Sequence, residues 1–238
     1  VLQSEILDLK VSNEGRAVGV VIESGIESGK GAVATILITE GRLNKGDLII
    51  AGEEFGKARI LMNENNKQLN SVTPSVPVQV FGLSATPNAG DEMRVVKNDK
   101  QGREISSLRK NRNRNKKLKD QQVLKMKNFI EQPMDSSKKM ISLIVKADVQ
   151  GSVEAIRDSL MKLSNEEVEV DIIFSGVGGI NESDINLATA SNAFIIGFNV
   201  RADTGARKII KESDVEIKYY SVIYETIDDI SDIIDGHA

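Results

Sequence analysis

The chain has 238 residues and a formal net charge of −4, from 31 Lys+Arg and 35 Asp+Glu, with 40% apolar but only 4% aromatic residues. That length suits one large domain or two small ones, and their cores must be aliphatic. With no cysteine and a single histidine, His237, the chain excludes disulfides, cysteine nucleophiles, histidine-based triads and the usual zinc ligand sets. No apolar run approaches the ~18 residues that span a membrane, and no secretory pattern opens the chain. The composition fits a soluble protein of a reducing compartment.

In chain order, Leu2, Ile6 and Leu9 come first, at i, i+4 and i+7. This short amphipathic stripe has no cap and is expected to be the end of a helix from a preceding domain. From Arg16 to Val96, short β-rich runs alternate with Gly, Asn, Asp and Pro. Strands are predicted near 17–22, 32–38, 47–50, 57–62, 78–81 and 92–96, with turns at Gly25–Gly31, Glu40–Gly46, Asn63–Asn66, Pro74–Pro77 and Pro87–Gly90. Many short strands at this spacing predict a small antiparallel barrel or sandwich. Residues 103–130 then read as helix, with Ile105, Leu108 and Leu118 isolated among Arg, Lys and Asn until Val123, Met126 and Ile130 restore a stripe. A polar helix of this kind bridges domains. Pro133 and the DSSKK run predict a loop.

From Met140 the pattern changes to strand–helix units. Residues 141–147 (ISLIVKA) form the continuous apolar run of a buried parallel strand. Val153, Ile156, Leu160 and Leu163 mark a helix with Ser152 as its N-cap, followed by a strand over 168–174 and a glycine-rich turn at 176–179. Asn181 with Asp184 has the form of a capped helix start. Strands at 194–198 and 215–220 enclose a helix at 204–212, and Ile223, Ile227, Ile230 and Ile234 mark a last helix. Such a series implies a parallel sheet covered by helices.

Three strings imitate nucleotide-binding motifs. Gly25–Gly31 (GIESGKG) has three residues between its first glycines where a phosphate loop needs four, and Gly31 replaces the magnesium-binding hydroxyl. Asn44-Lys45-Gly46-Asp47 and Asp148-Val149-Gln150-Gly151 match four-letter guanine and γ-phosphate patterns, but in the wrong order and with no nucleotide loop before them. They read as a hairpin turn and a strand-to-helix turn. Ser175–Gly179 (SGVGG) reads as a tight turn rather than a dinucleotide fingerprint. Glu225, Asp228, Asp229, Asp232 and Asp235 read as a solvated helix face rather than a metal site. No catalytic residue, cofactor ligand or metal ligand is predicted.

The charge itself is segmented. Residues 1–96 hold 9 basic and 12 acidic side chains (net −3), residues 97–127 hold 12 and 3 (net +9), and residues 128–238 hold 10 and 20 (net −10). Within the basic part, Arg109, Lys110, Arg112, Arg114, Lys116, Lys117 and Lys119 place seven positive charges in eleven residues. On a helix these charges repel one another, and nearby phosphates relieve the repulsion. With no aromatic residue in the run, contact would be to backbone phosphate, without base stacking. A solvated helical connector is the competing reading.

The order of these features is that of a known family. VVIESGIESGKGAVATILITEGRLNKGD, GKARILM and PSVPVQVFGLSATPNAGDE are followed by the charged helix. LIVKADVQGSVEAIRDSLMKL and SGVGGINESDINLATASNAFIIGFNVRAD come after it. Together they resemble bacterial-type translation initiation factor 2 over nearly the whole chain. The resemblance implies a multidomain protein: residues 1–9 end a G-domain helix, 10–98 form a β-barrel of the kind found as domain II of translational GTPases, and 99–139 are a basic helical linker. Residues 140–222 then form a three-layer α/β/α sandwich with a parallel sheet, and 223–238 start a connector helix.

It further implies a ribosome-dependent GTPase that promotes binding of formylmethionyl initiator tRNA to the small ribosomal subunit and subunit joining. GTP and magnesium belong to a missing G domain and initiator tRNA to a missing C-terminal domain. The fragment itself is then a non-enzymatic, cytoplasmic monomer (stromal or matrix if organellar) that docks on the small subunit and its rRNA without touching membrane. Candidate rRNA contacts are Lys30, Arg42 and Lys45 on barrel turns and Arg109, Lys110, Arg112, Arg114, Lys116, Lys117 and Lys119 on the linker. The turn SGKGAV around Lys30 lacks the family's usual arginine. Rival readings are a stand-alone RNA-binding or scaffold protein with a borrowed barrel, and a small α/β enzyme over 140–238.

Overall fold

The computed structural model of the protein describes residues 7, 10–27, 29–131, 139–165, 167–213 and 215–237, with the side chains of 117, 120–131, 235 and 237 outside that description. The Leu2–Leu9 stripe, Ser28, most of the DSSKK loop and the stripe of Val123, Met126 and Ile130 fall outside it. The chain divides into two compact units, residues 1–120 and 121–238.

In the first unit, β1 (Val18–Glu27), β2 (Gly31–Glu40), β4 (Leu48–Ala51), β5 (Glu54–Met62), β8 (Pro77–Leu83) and β9 (Glu92–Val95) pair in the order β4-β9-β1-β2-β8-β5. Every pairing is antiparallel, and β4 pairs with β5 to close the ring. Closure leaves no free edge and lets one face of each strand fill the interior. Alternation on β2 shows how: Ala34, Ile36 and Ile38 are buried inside, while Val33, Thr35 and Leu37 are half-buried outside. Val21, Ile49, Ala58, Leu61, Val78, Val80 and Met93 complete the aliphatic core. Each fully buried Val, Leu, Ile or Met is worth about 1.5–3 kcal/mol.

Two turns were placed too broadly by sequence pattern. Ile26 and Glu27 pair with Ala32 and Gly31, so the β1–β2 ladder continues almost to the hairpin tip where Gly25–Gly31 was expected as turn. Inside the expected Glu40–Gly46 turn lies β3 (Leu43–Asn44), paired with β7 (Ser71–Val72), while β6 (Gln68–Leu69) pairs antiparallel with the end of β5. Leu43 is fully buried, which is why the loop returns to the core there.

In the second unit, β10 (Lys139–Ala147), β11 (Val168–Val177), β12 (Phe194–Phe198) and β13 (Ile217–Tyr220) form an all-parallel sheet in the order β11-β10-β12-β13. Helices α2 (Gln150–Met161) and α5 (Ile223–His237) cover one face, and α3 (Glu182–Ser191) and α4 (Thr204–Ile210) cover the other. On β10, Ile141, Leu143, Val145 and Ala147 meet Val153, Ile156, Leu160, Ile230 and Ile234 on the first face, while Ile144 faces Ile185, Ala188 and Ala206 on the second. Burial on both faces is what a continuous apolar run in a parallel strand requires. Residues 223–237, expected to open a connector, thus contribute Ile230 and Ile234 to this core.

Ser152 is not the N-cap of α2. The cap position is Val149, without a side-chain hydrogen bond, and the helix begins at Gln150. Asp148 takes the first amide instead, accepting from Val149 N at 3.0 Å. Helix α4 ends at Ile210 rather than 212, and β13 begins at Ile217 rather than 215. The start of α3 has the expected form: Asn181 Oδ1 accepts from Asp184 N at 3.0 Å and Asp184 Oδ2 from Asn181 N at 2.9 Å.

Asp184 has a second task. Its carboxylate lies 3.2 Å from Lys146 Nζ, with both side chains 6% exposed, and the ammonium also sits 5.5 Å from the centre of the Phe174 ring. Removing one partner of a buried pair strands the other charge and costs about 3–5 kcal/mol, whereas removing both is far less harmful. All three tyrosines (219, 220 and 224) lie in the second unit and tryptophan is absent, so tyrosine emission follows this unit alone. In urea titrations, Asp184→Asn is expected to lower the tyrosine midpoint strongly, and adding Lys146→Met to restore part of the loss. Equal or additive losses would contradict the pairing.

A second polar cluster ties β13 to α5. Asp229 Oδ2 accepts from Lys218 Nζ at 2.9 Å and from the Tyr220 hydroxyl. The Tyr220 bond, and then that from Lys218, holds the Asp229 carboxyl below its ordinary 3.8, partly offset by burial. Tyr220 is pushed up, first by burial and then by its bond to Asp229. A carboxyl depressed in the fold supports it above that ordinary value and gives up the support as pH falls through the lower, folded value. Acid titration followed by tyrosine emission is therefore expected to show a shallower fall in stability below pH 3.8 for Asp229→Asn than for the parent chain.

Candidate nucleic-acid interface

The basic run lies on α1 (Asp99–Glu131), a single helix of 33 residues. It starts four residues earlier than the sequence predicts because Asn98 caps it: Gln101 N donates to Asn98 Oδ1 at 2.8 Å. Asp99 then pairs with Arg103 one turn on, at 2.5 Å.

The first half of α1 is fastened to the β4–β5 hairpin. Ser106 Oγ donates to Glu53 O at 2.5 Å and Arg109 Nη1 to Gly52 O at 2.6 Å. Lys110 Nζ reaches the Glu54 carboxylate at 2.9 Å, and Asn113 donates to the Glu53 carboxylate. Gly102 is buried with its Cα against the Phe55 ring, where a Cβ would overlap the ring, and the Arg103 guanidinium lies 5.9 Å from that ring's centre. Hydrogen bonds to charged groups contribute about 1.5–3 kcal/mol each where shielded from water.

Seven predicted linker contacts therefore part company. Arg109 and Lys110 are engaged by the barrel. Arg112, Arg114, Lys116 and Lys119 are exposed and have no ion-pair partner among the described residues. Lys117 lies on the helix, with its side chain outside the description. On the barrel, Lys30 is held by Glu27 at 2.7 Å and sits 5.2 Å from the Phe81 ring centre. Arg42 and Lys45 are exposed on either side of β3, their backbone amides donating to Gly15 O and Asn70 O.

None of the nucleotide-like strings fits a guanine nucleotide. Lys30 belongs to a strand–turn–strand hairpin and is drawn back onto its own strand. Asp47 is used within its turn, accepting from Asn44 N at 2.8 Å. Asp148 accepts from Val149 N and from Asn199 Nδ2, the latter at 3.3 Å. In the SGVGG turn, Gly178 has φ +101° and its amide donates to Ala147 O, while the Asn181 and Asp184 amides at the start of α3 are taken within the capping box. Among the described residues no group of His, Asp and Glu could hold a metal ion, and no helix is long and apolar enough to cross a membrane.

A closed barrel, a charged helix and a parallel α/β/α unit in this order define a class: the domain II and III region of a translational GTPase. Residues 16–96 match the family described as elongation factor G domain 2, and residues 115–231 match translation-initiation factor 2. Among solved structures, GDP-bound aIF5B from Aeropyrum pernix is similar over 99% of this chain and 40% of its own, with 23% identity and a TM-score of 0.52. This chain thus spans less than half the length of that protein. A bacterial selenocysteine-specific elongation factor matches 40% of this chain and 17% of its own at 12% identity, with a TM-score of 0.34, too low to define a shared fold. The match to translation-initiation factor 2 thus covers 117 of the 238 residues, from within the charged helix to the last helix.

The fit of α1 on the barrel is testable at Gly102. Replacing a helical glycine by alanine ordinarily gains about 1 kcal/mol. Here the added methyl must displace Phe55, so Gly102→Ala is expected to speed hydrogen exchange across residues 99–113 and 52–55. Slower exchange in both segments would show that α1 is not seated as described.

Proposed function

We propose that these two units serve ribosome docking and the passage of nucleotide-dependent signals between domains. The whole factor would promote binding of formylmethionyl initiator tRNA to the small ribosomal subunit and subunit joining with GTP hydrolysis. The observation that carries this reading is the exposed basic face of α1, a net +9 segment between parts of net −3 and −10, in a chain whose residues 115–231 match translation-initiation factor 2. Acidic surfaces repel rRNA, so phosphate contact concentrates on the helix, with Arg42 and Lys45 as further contacts on the barrel.

In this reading GTP and magnesium are bound by a G domain, and initiator tRNA by a C-terminal domain, both outside these 238 residues. The units here act without catalysing a reaction, as a cytoplasmic monomer with no membrane contact. Filter binding of the 238-residue chain to purified small subunits is expected to weaken linearly in log affinity against log salt concentration. Calorimetry with GTP is expected to show no binding. Salt-independent affinity would overturn ribosomal docking through the basic face, and a micromolar GTP signal would overturn the division of labour.

A further inference from the structure

Helical phase separates the cations of α1 into two sets. At about 100° per residue, Gly102, Ser106, Arg109 and Asn113 fall within an arc of roughly 60°, which is the face held by the barrel. Arg112, Lys116 and Lys119, at i, i+4 and i+7, fall within another arc of roughly 60° centred about 90° away. Arg114 lies almost opposite the second arc. Leu108, 63% exposed, ends that stripe on its N-terminal side.

The geometry points to an RNA-backbone contact confined to the Arg112–Lys116–Lys119 stripe, laid along the phosphates of an RNA duplex, with Arg109, Lys110 and Arg114 outside it. This rests on the ribosomal reading above and makes it specific. Several features select the occupant. The stripe spans ~10.5 Å of helix axis, and a comparable length of nucleic-acid duplex presents about six phosphates. All three cations can therefore reach a phosphate at once.

No acidic residue lies between Glu104 and Asp120 to compete for them. No aromatic side chain lies between Phe81 and Phe129, so the stacking on which single-strand binding depends is missing and a duplex backbone is favoured. A protein partner would need an apolar or aromatic anchor at the centre of the contact, and the one apolar side chain, Leu108, lies at the end of the stripe. Arg109 and Lys110 lie outside the stripe, each drawn to the hairpin by a contact at 2.6 and 2.9 Å.

The test compares the full 238-residue chain with single variants Arg112→Ala, Lys116→Ala, Lys119→Ala and Arg114→Ala, and with the triple stripe variant. Exposed helical alanines preserve the fold, which circular dichroism and tyrosine emission verify. The probes are a GC-rich RNA hairpin duplex, purified small subunits and polyglutamate, each titrated over a salt series. Each stripe substitution is expected to reduce the log–log salt slope by about 1 and the triple variant by about 3, with Arg114→Ala leaving it unchanged.

An equal loss from Arg114→Ala overturns the stripe while leaving the ribosomal reading intact. So does a steep slope that no variant alters, which assigns contact to the barrel. Polyglutamate binding as tightly as the hairpin overturns RNA as the occupant. Parent chain that shows no salt-dependent binding to small subunits overturns both the stripe and the reading beneath it.

Discussion

An ammonium ion in the middle of an apolar strand is costly, and the second unit is arranged so that Lys146 can bear it. Its strand is the inner neighbour of both β11 and β12, so the ammonium cannot reach water along the sheet. The counter-charge must come from the helix layer. Asp184 supplies it from the first turn of α3, where the same carboxylate also accepts the Asn181 amide. One side chain thus ends a helix correctly and neutralises a strand. A displacement of α3 by one turn would break both, so the pair fixes the helix position on the sheet more sharply than the aliphatic contacts of Ile185 and Ala188 could.

The first unit meets a different constraint. Closing the barrel satisfies the strand edges but leaves carbonyls at hairpin tips pointing outward, among them those of Gly52 and Glu53. Helix α1 supplies the donors, Arg109 and Ser106, and Gly102 allows the close approach to Phe55. The same residue types therefore do different work a few positions apart. Arg109 is a structural donor because its phase turns it to the hairpin, and Arg112, whose phase does not, has no ion-pair partner among the described residues.

Much of this was legible in the sequence. The change from short β-rich runs to strand–helix units located both folds, and Asn181 with Asp184 announced the cap of α3. Two-residue strands carry no periodicity: β3 falls within the expected Glu40–Gly46 turn and β7 in a stretch with no predicted element. Val149 could not be read as a cap because its side chain makes no capping bond. The partition of the basic run was invisible for another reason: Arg109 and Lys110 meet Gly52 and Glu54, more than fifty residues away, and no local pattern encodes such a pairing. Lys146 did leave a trace, as the one charged residue in the apolar run 141–147, but its partner lay on an element whose position only the fold defines.

The parallel sheet, unlike the barrel, has ends, and β11 is a ten-residue strand at one of them. Its alternation is buried Val168 and Val170 with exposed Glu169 and Asp171 between them. If a second copy approached to lengthen the sheet, two such strands would bring carboxylates together where the backbones must come within ~5 Å. Two acidic side chains on an otherwise apolar strand thereby act as a guard against fibre-like stacking.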